Sequence, residues 1–386
     1  PPPPPPPPPT TLLSSAASDV YKRQAMRGTK FNLPLDVRTP TYSDPGESAQ
    51  VNMPVMWELD FWKEYIDHLA RHRYNFVSLW NLHPFPSLVK VPEYPDIALE
   101  DVKRSTSIQR RRYELSGRGF DSPEIMGELE TVKVMRIDEK IDHWRQVMEY
   151  GKARNVRFYV VTWNIYPYGI DPAHGITADF RNPTTVDYYR ASVRQLFETY
   201  PDLAGIGLTT GENIPGATFQ EKEDWAFATY GRGVLDVVER QPDRRITFIH
   251  RQHEARATAI SKTFGPLVAH ENVDFIFSFK YAKAHSYSST TQTYHPEFVE
   301  DITAGGLKTI WTLRNDDNYL FRWGAPDFVR EFITNIPHEV SRGYYFGSDG
   351  WVWGRDFLSN APSRPGQLDV QRHWFSWLLW GRLGYD

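Results

Sequence analysis

From Met26 onward the chain alternates apolar runs rich in β-branched and aromatic residues with longer stretches of helical period. That alternation predicts βαβ units and a parallel sheet. Eight runs read as strands: Lys30 to Asp36, Tyr74 to His83, Val156 to Asn164, Ala204 to Asn213, Ile246 to Glu254, Val273 to Ala282, Leu307 to Asp317 and Gly343 to Gly354. Helices are predicted at Trp57 to Arg73, Asp138 to Arg154, Thr185 to Tyr200, Gln220 to Arg240, Pro326 to Ile336 and Gln367 to Trp380. Each strand run begins almost continuously apolar, as expected of strands covered on both faces. Each then turns polar at its C-terminal end.

A count of eight points to an α/β fold closed into a (β/α)8 TIM barrel, one domain with a long loop excursion after the second strand. The excursion, from His83 to Ile137, is rich in Pro, Arg and acidic residues and is expected to lie over the barrel mouth. A doubly wound open sheet would carry a G-x-G-x-x-G phosphate turn after its first strand. The segment KFNLPLDVRTP contains none.

In this barrel the active site is assembled from the C-terminal ends of the strands. The polar ends are therefore the candidate site. Cleavage of a glycosidic bond requires a proton donor for the leaving oxygen and a second carboxylate that attacks the sugar or activates water. Glu212, where the apolar run GIGL gives way to TTGEN, is the expected donor. Its partner is sought among Asp316 and Asp317 after the seventh run, Glu254 after the fifth and Asp349 after the eighth. The seventh run comes first in that choice, since adjacent acids point to opposite sides of a strand and one of them then faces the mouth. Glu254 equally suits a helix start, where an acid meets the positive end of the dipole.

Around these acids stand the expected sugar contacts. Trp80, Trp163, Trp351 and Trp353 are candidate stacking faces, and core packing would account for the same rings. Asn81, His83, Asn164, Asn213, His253, Tyr281 and Asn315 offer hydrogen bonds, while Asp36 and Arg38 end the first run. Arg251, Lys280 and Arg314 put three cations at neighbouring mouths, suited to the carboxylate of an acidic sugar or to neutralising the acids.

Composition narrows the partners. A net charge of -4 provides no basic field for a phosphate backbone, so nucleic acid is not expected. No apolar run approaches the ~20 residues of a membrane span. The chain has no cysteine, which removes thiolate metal sites and cysteine nucleophiles, and 15% of it is aromatic, in keeping with sugar-stacking surfaces. A metal-dependent hydrolase or lyase is the enzymatic rival, resting on His250, His253 and Glu254 with His83 and His285. HRQHE matches neither H-E-x-x-H nor H-x-x-E-H, so no metal or cofactor is assigned. A non-catalytic carbohydrate-binding barrel is the other alternative.

Residues 1–25 open with nine prolines and carry no core pattern; they are read as a low-complexity, non-native leader, with the barrel over 26–386. On that reading a signal peptide region is missing, and the ending WGRLGYD suggests truncation after the last helix.

The runs RGTKFNLPLD, NFVSLWNLHPFPS, FYVVTWNIYP, GIGLTTGEN and TIWTLRNDDNYLFRWGAPDFVREF resemble glycoside hydrolases with (β/α)8 catalytic domains, in particular the α-glucuronidase-like group. They also resemble a family of uncharacterised proteins from polysaccharide-degrading bacteria, over almost all of 26–386. The resemblance implies hydrolysis of plant or algal polysaccharide side chains, in the periplasm or outside the cell. It carries over Glu212 as a catalytic residue. The seventh run ends in Asp, where the largest retaining clan has Glu, so the stereochemical course is left open.

Overall fold

The computed structural model describes residues 24–41, 46–107, 120, 122–163, 165–211, 214–251, 255–280, 290–291, 295–314, 324–347, 351–356 and 366–385. Ten strands are numbered here in chain order. Eight of them form a closed parallel barrel, β1 (Met26–Asn32), β2 (Phe76–Trp80), β5 (Arg157–Trp163), β6 (Leu203–Thr209), β7 (Ile246–Arg251), β8 (Val273–Lys280), β9 (Lys308–Arg314) and β10 (Ser341–Gly347). β1 closes the ring by pairing with β2 on one side and β10 on the other. The expected TIM barrel is thus present, and every predicted strand run overlaps one of its staves.

The first stave differs from expectation in position. β1 ends at Asn32, four residues before Asp36, because Pro34 has no N–H to give to a central ladder. Asp36 and Arg38 consequently lie beyond the strand. Asp36 is fully buried and takes two hydrogen bonds from the Arg38 guanidinium, at 2.7 and 2.8 Å, and one from the Lys103 backbone N–H at 2.8 Å. Lys103 belongs to β3 (Val102–Ser105), which pairs antiparallel with β4 (Leu129–Lys133). This hairpin inside the long excursion was not predicted: both strands are short, and neither shows a clear alternation of apolar and polar positions. The Asp36 carboxylate therefore ties the excursion to the loop after β1.

Helices pack outside the staves, including Leu59–Arg71, Ile137–Lys152 and Pro183–Thr199. The helix predicted at Gln220 to Arg240 is interrupted: Phe219–Ala226 passes through a π-helical turn, Phe227–Gly231, into Arg232–Arg240. Helices Ala257–Thr263 and His295–Ala304 were not predicted. Between helices and staves lies the main core, with Trp57, Trp62 and Trp144 packed ring against ring.

A second, smaller cluster fills the barrel itself: Phe76, Trp80, Leu82, Tyr159, Val161, Trp163, Ile249, Ile276, Ile310 and Tyr345. These residues alternate along their staves, as inward positions of a strand must. Bulky rings fit inside because small residues oppose them. At Gly28 a Cβ would fall 2.2 Å from the Phe76 ring, so that position on β1 admits glycine alone without repacking.

Candidate functional site

The upper layer of the barrel interior is built around Trp80, which ends β2 and is 1% exposed. Its ring meets Trp163 edge-on at 5.1 Å and Tyr345 at 5.9 Å. Its indole N–H donates to Ser78 Oγ at 2.8 Å, which fixes the ring plane. Two cations approach the same ring, Lys30 with its ammonium 4.6 Å from the centroid and Arg251 with its guanidinium at 5.6 Å. A tryptophan face attracts cations through its quadrupole, so the indole holds both charges where each would otherwise lose hydration. Beneath them the Tyr345 hydroxyl is hydrogen-bonded to Ser278 at 2.8 Å and to Thr312 at 2.7 Å.

Register explains why these residues meet. Trp163 pairs with Thr209, and Thr209 pairs with Arg251, so all three share the inward face of adjacent staves. Two buried polar atoms here, Thr209 Oγ1 and Arg251 Nε, have no hydrogen-bond partner among the described residues. Buried polar groups in native proteins are nearly always satisfied, and neighbouring exceptions at a barrel mouth suit a ligand that supplies the missing partners.

The chain that leads to Glu212 is anchored from behind. Thr210 donates its hydroxyl to Glu223 Oε1 at 3.0 Å, and Lys222 donates its ammonium to the Gly211 carbonyl at 3.0 Å. Gly211 itself takes φ 93°, a conformation that glycine alone adopts without strain. The turn out of β6 is therefore shaped by glycine and held at two consecutive residues. Glu212 and Asn213, which follow it in sequence, lie outside the described residues.

The same is true of the other expected acids, Glu254, Asp316, Asp317 and Asp349, and of Asn164, His253, Tyr281 and Asn315. Lys280 and Arg314 end β8 and β9, with only their backbones described. Among the remaining expected contacts the structure brings Trp80, Trp163 and Arg251 together.

It puts others to different use. Asn81 donates to the carbonyls of Leu33 and Thr39 at 3.0 and 2.7 Å, stapling the loop after β1 to that after β2. His83 is fully buried, with Nδ1 2.6 Å from the Tyr168 carbonyl and Nε2 3.1 Å from the Tyr188 hydroxyl, and burial pushes its pKa down to about 4. Trp353 packs edge-on against Trp377 in the main core, 5.3 Å between centroids, away from the barrel interior cluster. Trp351 is half-buried; its carbonyl accepts from Asn32 Nδ2 at 3.0 Å and its indole N–H donates to Asp369 at 2.7 Å.

His250 faces the opposite way from Arg251 and Ile249, as alternation requires, and bonds Glu223 in the helix layer. Lys30 escaped the sequence reading because the first stave was placed four residues late; with β1 ending at Asn32, its alternation brings Lys30 into the barrel. Among the described residues no three His, Asp or Glu side chains are grouped to hold a metal ion, and no helix is long and apolar enough to cross a membrane.

Fold and mouth define the class: a closed (β/α)8 barrel of the TIM type. Its structural neighbours are glycoside hydrolases. A GH138 enzyme targeting pectin rhamnogalacturonan II superposes with a TM-score of 0.72 at 21% identity over 95% of this chain, which spans 39% of that enzyme. A GH5 lichenase from Caldicellulosiruptor sp. F32 gives 0.51 at 11% identity, covering 97% of this chain and 96% of its own. A β-hexosaminidase from Streptomyces plicatus gives 0.52 at 12% identity, over 94% and 64% of the two chains. At these identities the likeness is one of fold. No protein-family model matches the chain, and neither does any curated protein.

Proposed function

We propose that the chain is a glycoside hydrolase acting on a plant or algal glycan that carries an acidic sugar, with residues 26–386 as its catalytic barrel. The observation that carries the acidic part is the pair of cations on Trp80, with Arg251 Nε and Thr209 Oγ1 buried beside it and without a partner among the described residues. A sugar carboxylate brought against the guanidinium would satisfy both donors, and a planar fork suits that anion.

In this reading Glu212 gives its proton to the glycosidic oxygen as the bond to the anomeric carbon breaks. A second carboxylate, from Asp316, Asp317, Glu254 or Asp349, attacks that carbon or takes a proton from the water that does. The fixed turn at Thr210 and Gly211 supports the assignment of Glu212, because a proton donor must be held within a fraction of an ångström of its target.

The test is release of reducing sugar from a panel of uronic-acid and sulfated glycans by wild type and Glu212→Gln. Activity in the wild type with loss of several orders of magnitude in the variant supports the reading. Equal activity in both removes Glu212 from its role.

A further inference from the structure

The loop after β5 is held in a form its own sequence resists. Ile165 is fully buried at φ 34°, a region that a β-branched residue occupies only under strain. Its surroundings impose the conformation. The Tyr166 backbone N–H donates to the Tyr189 hydroxyl at 3.1 Å. His83 Nδ1–H donates to the Tyr168 carbonyl, which leaves Nε2 to accept from the Tyr188 hydroxyl. Tyr188 and Tyr189 are themselves fully buried.

What this clamp presents is a group of rings. Tyr166 and Tyr168 stack with centroids 5.4 Å apart and planes 12° from parallel. Phe120, from the long excursion, meets Tyr168 edge-on at 6.1 Å. All three are half-buried, and all pack against the barrel interior cluster that contains Trp80 and Trp163. Core packing explains buried rings. It gives no reason to strain a backbone in order to hold tyrosines partly in solvent, whereas strain of this kind gathers at ligand sites.

We propose that Tyr166, Tyr168 and Phe120 form a second sugar subsite, which stacks the ring adjoining the one whose carboxylate meets Arg251. The inference rests on the glycoside hydrolase reading and extends it to an oligosaccharide whose acidic sugar meets Arg251 and whose next sugar lies on these rings. The occupant is a pyranose of the same substrate, because the rings are continuous with the barrel interior. An apolar sugar face covers an aromatic ring while its hydroxyls stay in water.

The experiment is calorimetric binding of glucuronic and galacturonic acids and of their trimers, in the Glu212→Gln background so that ligands survive. Tyr168→Ala is expected to weaken the trimer that binds by about tenfold and the corresponding monomer by less than twofold, with Tyr168→Phe unchanged. Phe120→Ala is expected to act in the same direction with a smaller effect. Equal affinity for the trimer in Tyr168→Ala and its parent overturns the inference while leaving the hydrolase reading intact. So does a loss shared equally by monomer and trimer, which would make the ring a support for the barrel interior. Failure of the parent to bind any of the four acids overturns both.

Discussion

His250 Nε2 lies 2.6 Å from Glu223 Oε2, in a contact where the two side chains are 0% and 5% exposed. The pair sits behind the barrel mouth, with the imidazole stacked on Phe277 and walled by Phe264. Nε2 is the donor to the carboxylate, which leaves His250 Nδ1 without a partner among the described residues. Glu223 uses its other oxygen to accept from Thr210, two residues before Glu212. One buried carboxylate thus links a histidine on β7 to the turn out of β6.

Removing half of such a pair leaves a buried polar group without compensation, at a cost of about 3–5 kcal/mol. Glu223→Ala is expected to lower the unfolding free energy, read from urea titration, by an amount in that range and to free Thr210. Glu223→Gln keeps an acceptor for Thr210 and is expected to lose less stability. If the turn positions Glu212, kcat falls in Glu223→Ala by more than the remaining folded fraction explains, with KM little changed. Unaltered kcat in a folded Glu223→Ala protein would show that the turn needs no such anchor.

Arg251 is expected to show the opposite balance. Its guanidinium is nearly buried, and Nε has no partner among the described residues, so it contributes little to the fold and burdens it with an underbonded charge. Arg251→Met preserves the packing against Trp80 and should leave stability within about 1 kcal/mol of wild type. Affinity for a uronic-acid ligand should fall at least tenfold, while a neutral sugar of the same shape is unaffected. Thermal melts and calorimetry on one preparation check both halves. Equal loss for charged and neutral ligands would remove charge recognition from Arg251.

Lys30 is the second cation on the Trp80 ring. Combining Lys30→Met with Arg251→Met should cost more or less than the sum of the two single losses in acidic-ligand binding, since both cations meet one ring and residues with a shared partner couple. A strictly additive pair would mean that the two cations serve separate ligands or none.

The architecture was legible because buried staves read as apolar runs, and their polar ends marked the mouth. Trp163 and Arg251 were found for that reason: each lies on the inward alternation of its strand. Orientation was legible only where the strand limits were correct. A four-residue error in the first stave, correctable from Pro34, hid Lys30 and made strand ends of Asp36 and Arg38, which lie beyond the strand and pair with each other. Glu223 could not have been found from spacing, since it lies 27 residues before His250 on a helix and meets it only through the barrel fold. Aromatic count likewise said nothing of direction, which is why Trp80 and Trp353 looked alike and one proved to lie in the outer layer.

Buried titratable groups give opposing slopes to the pH dependence of stability. Burial pushes His83 and His143 each down to about 4 and His68 to about 3, with His72 and Arg71 adding to the last. Unfolded histidine titrates near ~6.5, so below that value the unfolded chain binds protons the folded one refuses, and stability falls as pH drops toward ~4. Asp369 acts in reverse. Burial, reinforced by Asp356 and opposed by Trp351 and Arg372, holds its pKa up to about 7. Between an unfolded value of ~4 and that folded value the folded state carries the extra proton, so this group alone makes stability rise as pH drops, by at most ~4 kcal/mol. Three histidines against one aspartate leave a net loss on acidification. Urea midpoints measured from pH 8 to pH 4.5 are expected to fall below about 6.5 in the wild type. Asp369→Asn cannot take up the compensating proton, so its midpoints should fall more steeply over the same interval. Parallel profiles for the two proteins would mean that Asp369 keeps the same charge throughout the range.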